Sequence, residues 1–159
     1  MKAITIYQPF SSLIAIGVNP YETRGHAPPR KLIGERIAIH AAKGIWRLDA
    51  DLLNRAEYQL RIHRQPSITS LPRGAVICTA VLTGAYRCGE RIIGRGGPMF
   101  EVSHRMNGSP ASNTYIPIDA YGDYSPGRWA WKLESVQIVD PPAEARGKQG
   151  FWNWDEGRP

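Results

Sequence analysis

Cysteine is scarce in this sequence, and its two copies are not arranged to bind a metal. Cys78 and Cys88 are the only cysteines among 159 residues. They form no C-x-x-C pair, and neither has a histidine nearby at the spacing that zinc ligands show. Both observations argue against a structural zinc site. Both lie in or just after an apolar, β-branched run, so we expect them to be small buried residues. The sequence predicts neither a metal nor a cofactor.

Long apolar runs are also missing. No segment approaches the roughly 18 apolar residues that a membrane-spanning helix requires. The opening residues, MKAITIYQPF, carry one lysine and then alternate, without the continuous apolar segment and small-residue cleavage site of a secretory signal. We therefore expect a cytoplasmic protein with no membrane partner.

Two common catalytic motifs have no counterpart. The chain contains no G-x-S-x-G sequence of the kind that presents a hydrolase nucleophile. The run GRGG at 94–97 lacks the Lys-Ser/Thr with which a P-loop holds phosphates and magnesium. Neither serine-hydrolase nor nucleotide-triphosphate chemistry is supported.

Positive charge is in modest excess. The chain has 20 Lys and Arg against 14 Asp and Glu, for a net charge of +6 with neutral histidines. These cations are scattered along the chain, so a basic surface for a polyanion would have to be assembled by the fold. A hydrophobic share of 42% suffices for a buried core. The length fits one domain, 1–159.

Hydrophobic periodicity predicts a mixed fold. Strands are predicted at 2–7, 33–41, 74–86 and 129–139, short extended segments at 21–24 and 114–118, and helices at 11–16 and 47–63. Residues 89–126 contain six glycines and four prolines, which predicts a long loop of the kind that often carries function. We expect an α+β fold with a small barrel or half-open sheet.

One candidate site consists of polar residues near the predicted ends of strands and helices: Gln8, Glu22, Arg24, His40 and Lys43. Glu22 and Arg24 share one face of an extended segment, because side chains there repeat every two residues. The group forms an internal ion pair with Lys43 or an arginine or, if all of its members converge, a pocket.

A second candidate set interleaves aromatic and basic residues. Its members are Tyr121, Tyr124, Trp129, Trp131, Trp152 and Trp154, with Arg128, Lys132, Arg146 and Lys148 between them. Aromatic faces that stack on bases and cations that follow phosphates are typical of single-stranded nucleic-acid sites. Trp129 and Trp131 share a strand face, however, and could equally fill a small core.

Four runs of residues point to a known family: QPFSSLI at 8–14, GVNPYETR at 17–24, IAIHAAK at 37–43 and GRWAW at 127–131. Together they resemble the ASCH domain of the PUA-like superfamily, over nearly the whole chain. The similarity is greatest to the stand-alone bacterial and phage forms, which share the opening Gln-Pro helix, the His-Ala-x-Lys strand end and the closing Gly-Arg-Trp-x-Trp strand.

The resemblance implies a small PUA-like β-barrel with peripheral helices and a basic cleft bordered by the Glu-x-Arg segment. It also implies binding of single-stranded RNA or a modified nucleoside. One branch of the family removes the acetyl group from acetylcytidine, and another cleaves single-stranded RNA. The ligand-binding residues that we expect in this chain are Gln8, Arg24, His40, Arg128 and Trp129.

The chain departs from the family signature G-x-K-x-x-E-x-R at one position, where Asn19 replaces the lysine. In the amidohydrolase branch that lysine acts with a threonine at the position of Glu22. An asparagine amide cannot act as an amine base, so acetylcytidine hydrolysis by that mechanism is not expected.

The alternative to simple binding is an enzyme of the same fold, a metal-independent single-stranded ribonuclease or a nucleoside amidohydrolase. Its catalytic residues would be Lys43, Glu22 and Ser125, with Lys43 stabilising charge on the phosphate and the Ser125 hydroxyl positioning it. Lys43 could equally be a plain phosphate contact. A third hypothesis is a protein-interaction module with a tryptophan-rich tail, although we expect Trp152 and Trp154 to fold back onto the domain.

Overall fold

The computed structural model describes residues 1–106 and 114–155. Its strands are β1 (Lys2–Gln8), β2 (Tyr21–Arg24), β3 (Arg36–Ile45), β4 (Ala75–Gly94), β5 (Gly97–Arg105), β6 (Tyr115–Pro117), β7 (Trp129–Glu144) and β8 (Trp152–Asn153). Its α-helices are α1 (Phe10–Ala15) and α2 (Ala50–Ile62), and two short 3-10 turns follow β2 and α2. The predicted α+β class is confirmed.

The predicted closed barrel is not found among the described residues. Hydrogen-bonded strands follow the order β2-β7-β4-β3-β1-β8, with β5 paired to β4 and β6 paired to β5. Closure requires the first and last strands of such a path to share a ladder. In the described part of the chain β2 and β8 do not pair, and they have only four and two residues.

The chain divides into two compact units. Unit 1 comprises Met1–Asn19, Arg36–Ala80 and Ser135–Pro159, and unit 2 comprises Pro20–Glu35 and Val81–Glu134. The long strands β4 and β7 each contribute residues to both units. The assignment of 1–159 to a single domain stays a prediction.

Unit 1 is built on a parallel pair of strands, with β1 aligned along β3 from Lys2 opposite Ile37 to Ile6 opposite Ala41. The outer edge of β1 pairs antiparallel with β8, where Ala3 faces Trp152. Crossover pairs of this kind bury both faces, and the central residues of β3 are accordingly buried.

Helix α2 begins later than predicted because of its cap. The Asp49 carboxylate accepts a hydrogen bond from the Leu52 backbone N–H at 2.8 Å, which satisfies one of the unpaired donors of the first turn. The helix therefore starts at Ala50, three residues after the predicted start. Its inner face buries Ala56 and Leu60.

The tryptophan-rich tail folds back, as predicted. Trp152 and Trp154 are buried in one cluster with Ala3, Ala38 and Val76. The Trp154 backbone N–H donates to the Met1 carbonyl at 2.8 Å. These two indoles are therefore not exposed interface residues, and the interaction-module hypothesis loses the feature on which it rested.

Unit 2 corrects the long-loop prediction. Residues 89–105 are largely strand, because β4 continues to Gly94 and turns back as β5 through Gly94 opposite Gly97. Gly97 has a φ of +116°, a conformation that favours glycine, so some of the glycines mark a hairpin turn. Strand β6 lies within the predicted segment 114–118, and residues 107–113 lie outside the described part of the chain.

The core of unit 2 contains the second cysteine. Cys88 packs with Phe100, Val102, Ile116 and Tyr124, and Cys78 is buried within unit 1. The prediction that both cysteines are buried is confirmed. No helix in the described ranges combines the length and the apolar character needed to cross a membrane.

Candidate functional site

Unit 1 contains a cavity of about 510 Å³. Its polar lining side chains come from β1, β3, the residue before Gly74 and the segment at the end of β7: Thr5, His40, Lys43, Arg73, Glu144 and Arg146. Small-molecule sites in proteins commonly occupy about 300–1,000 Å³, so the cavity has the size for a nucleotide-sized ligand.

Positive charge dominates this cavity. Lys43, Arg73 and Arg146 line it against one carboxylate, that of Glu144. Among the described residues, none of these three cations forms an ion pair. Several positive charges that line one concave site attract anionic ligands.

Gly74 places the Lys43 side chain. A Cβ atom on Gly74 would lie 2.7 Å from Lys43 Cε and 2.8 Å from its Cγ, so the aliphatic part of Lys43 passes directly over this backbone. Gly74 is itself fixed on both sides, because its N–H donates to the Ala41 carbonyl at 2.7 Å and its carbonyl accepts from Ala145 N–H at 3.0 Å. Its φ of +67° favours glycine.

His40 is buried at the cavity and held in one orientation. Its Nε2 lies 3.0 Å from the Ala145 carbonyl oxygen, and its ring meets Trp152 edge to face. Burial lowers the pKa of His40, and the charge of Lys43 lowers it further, while the bond to Ala145 opposes both. The imidazole is therefore neutral at pH 7 with its proton on Nε2, because a carbonyl oxygen can only accept.

Gly147 closes over the other side of the His40 ring. A Cβ there would lie 2.3 Å from His40 Cε1, 2.5 Å from His40 Nδ1 and 2.8 Å from Thr5 Oγ1. The Thr5 hydroxyl donates to the Lys148 carbonyl at 3.0 Å and accepts from Trp152 Nε1 at 3.2 Å. Thr5 and Gly147 together hold the segment after β7 against the histidine.

Two buried polar atoms of cavity-lining residues lack a partner among the described residues. They are His40 Nδ1 and Arg73 Nε; the other end of Arg73 donates to the Ile68 carbonyl at 3.3 Å. Buried polar atoms are nearly always hydrogen-bonded in proteins. Here both atoms are covered by the surrounding protein, and Gly147 lies against His40 Nδ1.

Gln8 lies in unit 1 but does not line the cavity. Its amide Nε2 donates to the Pro72 carbonyl at 2.8 Å, and its Oε1 accepts from the Ser12 backbone N–H at 3.3 Å. Gln8 is buried, and its contacts fix the chain just before Arg73. A direct role in ligand binding stays a prediction.

Glu22 and Arg24, in unit 2, form the internal ion pair that was one of the two interpretations. Arg24 Nε lies 2.6 Å from Glu22 Oε1, and the guanidinium lies 5.8 Å from the centre of the Trp131 ring. Burial raises the pKa of Glu22, and the charge of Arg24 opposes that shift. The pair is on β2, opposite β7.

Ser125 and Arg128 both bind Asp123, also in unit 2. The Ser125 hydroxyl donates to Asp123 Oδ1, and Arg128 Nε lies 3.2 Å from Asp123 Oδ2. The hydrogen bonds from Ser125 and the charge of Arg128 lower the pKa of Asp123, against a smaller effect of burial. These contacts stabilise the turn before β7.

The two tryptophans of β7 differ in exposure. Trp131 is buried, and its ring stacks on the ring of His26. The Trp131 indole N–H also donates to the backbone carbonyl of His26 at 3.1 Å. Trp129 is half-buried. The core interpretation therefore holds for Trp131, and the stacking role of Trp129 stays a prediction.

Of the residues predicted from the sequence, Lys43 and His40 meet in the unit 1 cavity. The sequence pattern does not predict Arg73 or Glu144 as site residues and does not place Arg146 in a site with Lys43. A Gly next to a cation, as in Arg73-Gly74 and Arg146-Gly147, was the available signal, since glycine permits close approach of backbone to a ligand or side chain.

Within 1–106 and 114–155, no group of three or more His, Cys, Asp or Glu side chains is placed to hold a metal ion. Comparison of the chain with protein-family models and with curated proteins finds no match.

Proposed function

We propose that this chain is an ASCH-like domain that binds single-stranded RNA or a modified nucleoside, with the unit 1 cavity as the binding site. One observation carries the proposal. Three cations line a cavity of about 510 Å³ against a single carboxylate, and none of the three forms an ion pair in the described part of the chain.

The cavity divides into groups that suit different parts of a nucleotide. Lys43 and Arg146 suit a phosphate, which accepts hydrogen bonds from cations. The Glu144 carboxylate offers an acceptor for a ribose hydroxyl or a base amino group. Arg73 adds a third positive charge to the same lining.

The family resemblance supports the same site. The His-Ala-x-Lys strand end that carries part of the resemblance is His40–Lys43 in this chain. Both of its polar side chains line the cavity.

Binding is favoured over catalysis by the contacts of the proposed catalytic residues. In unit 2 the Ser125 hydroxyl donates to Asp123, and Glu22 is paired with Arg24. Asn19, at the family's lysine position, is buried. These contacts engage the Ser125 hydroxyl and the Glu22 carboxylate within unit 2, and neither residue lines the unit 1 cavity.

The test is a titration of fluorescently labelled single-stranded RNA, followed by anisotropy at several salt concentrations. Binding should weaken with added salt, because each phosphate contact releases counterions. Lys43→Ala and Arg146→Ala should each weaken binding and lower the salt slope by about one. Lys31→Ala removes the same charge from an exposed residue of unit 2 and is the matched control.

Two results would contradict the proposal. One is wild-type protein that binds neither RNA nor any member of a nucleoside panel. The other is an equal loss of affinity in Lys31→Ala and Lys43→Ala, which would mean that only the total charge matters. Gel analysis of the same RNA separates binding from cleavage, since a ribonuclease would degrade it with wild type and leave it intact with Lys43→Ala.

A further inference from the structure

Two large aromatic side chains are exposed together on unit 1. Tyr7 and Trp46 are 42% and 54% exposed, and their ring centres lie 5.3 Å apart at an interplanar angle of 44°. We refer to these two residues as the aromatic pair. Neighbouring exposed aromatic rings are typical of interaction sites, because such rings contribute most when a partner covers them.

The aromatic pair lies beside the cavity. Tyr7 follows Thr5 by two residues on β1, so their side chains share one face of the strand, and Thr5 lines the cavity. The Tyr7 ring also lies over Gly44, where an added Cβ would be 3.2 Å from Tyr7 Cε1. Gly44 directly follows the cavity residue Lys43.

An irregularity in strand pairing explains this proximity. Ile6 pairs with Ala41, yet Gln8 pairs with Ile45, so β3 advances four residues while β1 advances two. The extra residues of β3 include Lys43 and Gly44. Bulges of this kind redirect side chains, and here the irregularity occurs where the cation and the aromatic rings come together.

Charge and ring surface together favour a nucleic acid as the occupant. A base has a flat face that stacks on an aromatic ring, and its phosphates are drawn to neighbouring cations. The cavity beside the pair supplies Lys43, Arg73 and Arg146, and exposed Arg47 directly follows Trp46. An acidic partner without flat rings would contact only the cations, and an uncharged apolar partner would contact only the aromatic pair.

We propose that the aromatic pair, Tyr7 and Trp46, stacks on a base of single-stranded RNA whose neighbouring nucleotide occupies the cavity. This inference rests on the proposed function and extends it from one nucleotide to at least two. It also assigns the stacking role to residues other than Trp129.

The experiment is the same anisotropy titration with four further variants. Tyr7→Ala and Trp46→Ala should each weaken RNA binding about tenfold, since stacking on an aromatic ring contributes substantially for each base. Trp46→Phe should retain most of the affinity. Tyr115→Ala is the matched control, because Tyr115 is 41% exposed and lies in unit 2.

The salt slope separates stacking from charge. Trp46→Ala should leave the slope at its wild-type value, because it removes no phosphate contact, whereas Lys43→Ala should lower it. Circular dichroism and thermal unfolding of Tyr7→Ala and Trp46→Ala should match wild type, as expected for exposed side chains.

The results that would contradict the stacking proposal differ from those that would contradict the proposed function. If wild type binds with a salt slope and Lys43→Ala weakens it, but Tyr7→Ala and Trp46→Ala bind like wild type, the aromatic pair has no role and the proposed function stands. If wild type shows no salt-dependent binding, both are overturned. If Trp46→Ala changes the sedimentation coefficient and leaves RNA affinity unchanged, the pair contacts a second copy of the chain and the stacking proposal is wrong.

Discussion

The side chain of Lys43 crosses the backbone of Gly74 with no room for a Cβ between them, since that atom would lie 2.7 Å from Lys43 Cε. The cavity cation is therefore positioned by a residue without a side chain. Any larger residue at 74 has to move Lys43 or the backbone that Ala41 and Ala145 hold in place.

Gly74→Ala should therefore weaken both folding and RNA binding. The left-handed backbone at residue 74 costs a residue with a Cβ roughly 1–2 kcal/mol, and the displaced Lys43 should lower RNA affinity about tenfold. Gly150→Ala is the matched control, because Gly150 has a φ of +70° and nothing within 4 Å of an added Cβ. Gly150→Ala should lose stability in the same way and keep the RNA affinity of wild type. Equal RNA affinities for Gly74→Ala and Gly150→Ala would contradict the role given to Gly74.

Stability should fall as the pH drops, through His40. Its pKa is lower in the folded protein than in the unfolded chain, so the unfolded chain binds the proton more readily and gains stability from acid. The stabilisation is complete above the usual histidine pKa of about 6.5 and is lost as the pH falls through the lower folded value.

Chemical denaturation of wild type and His40→Gln at several pH values measures this effect. The difference in unfolding free energy between them should change by at most about 1.4 kcal/mol per pH unit, the limit for one proton. His63→Gln alters an exposed histidine and should follow wild type. Parallel curves for wild type and His40→Gln would refute the assignment.

Trp154 should matter to stability far more than Trp46. Trp154 is 3% exposed within the unit 1 core, whereas Trp46 is 54% exposed. Trp154→Ala should cost about 3–5 kcal/mol, the usual loss for a large aromatic residue in a core, and Trp46→Ala should leave the unfolding free energy nearly unchanged. Urea titrations followed by circular dichroism give both values, and similar losses in the two variants would mean that the tail does not pack as described.

Neither cysteine should react with an alkylating reagent while the protein is folded. Burial raises the pKa of Cys78 to about 12 and that of Cys88 to about 11, and the thiolate is the reactive form. Iodoacetamide followed by mass spectrometry should show no labelling near pH 8 until denaturant is added, and then labelling at both sites. Rapid labelling of native protein at either site would be inconsistent with these buried positions.

Local patterns predicted most of the elements in this fold. Alternation placed β1 and the start of β7, and the spacing of Ala56 and Leu60 placed α2. The hairpin of β4 and β5 was missed because the end of β4 does not alternate, since Ile92 and Ile93 are both exposed. The alternation in β5, where Phe100 and Val102 are buried, is short and follows the glycines of the turn.

The candidate site was predicted only where a motif was continuous. His40 and Lys43 are three residues apart and were found together. Arg73 and Arg146 come from distant parts of the chain and meet them through backbone hydrogen bonds between Ala41, Gly74 and Ala145, which no sequence spacing encodes. Ser125 lies in unit 2, where its hydroxyl donates to Asp123 two residues earlier, and its catalytic role stays a prediction.

The pairing of β1 with β8 has a consequence for biosynthesis. In chain order β1 is synthesised long before β8, and in the described part of the chain one edge of β1 pairs with Trp152 and Asn153 of β8. An uncovered strand edge is a template for misassembly. Nascent chains stalled before Trp152 should therefore depend on chaperones for as long as translation is interrupted, and synthesis of β8 should end that dependence.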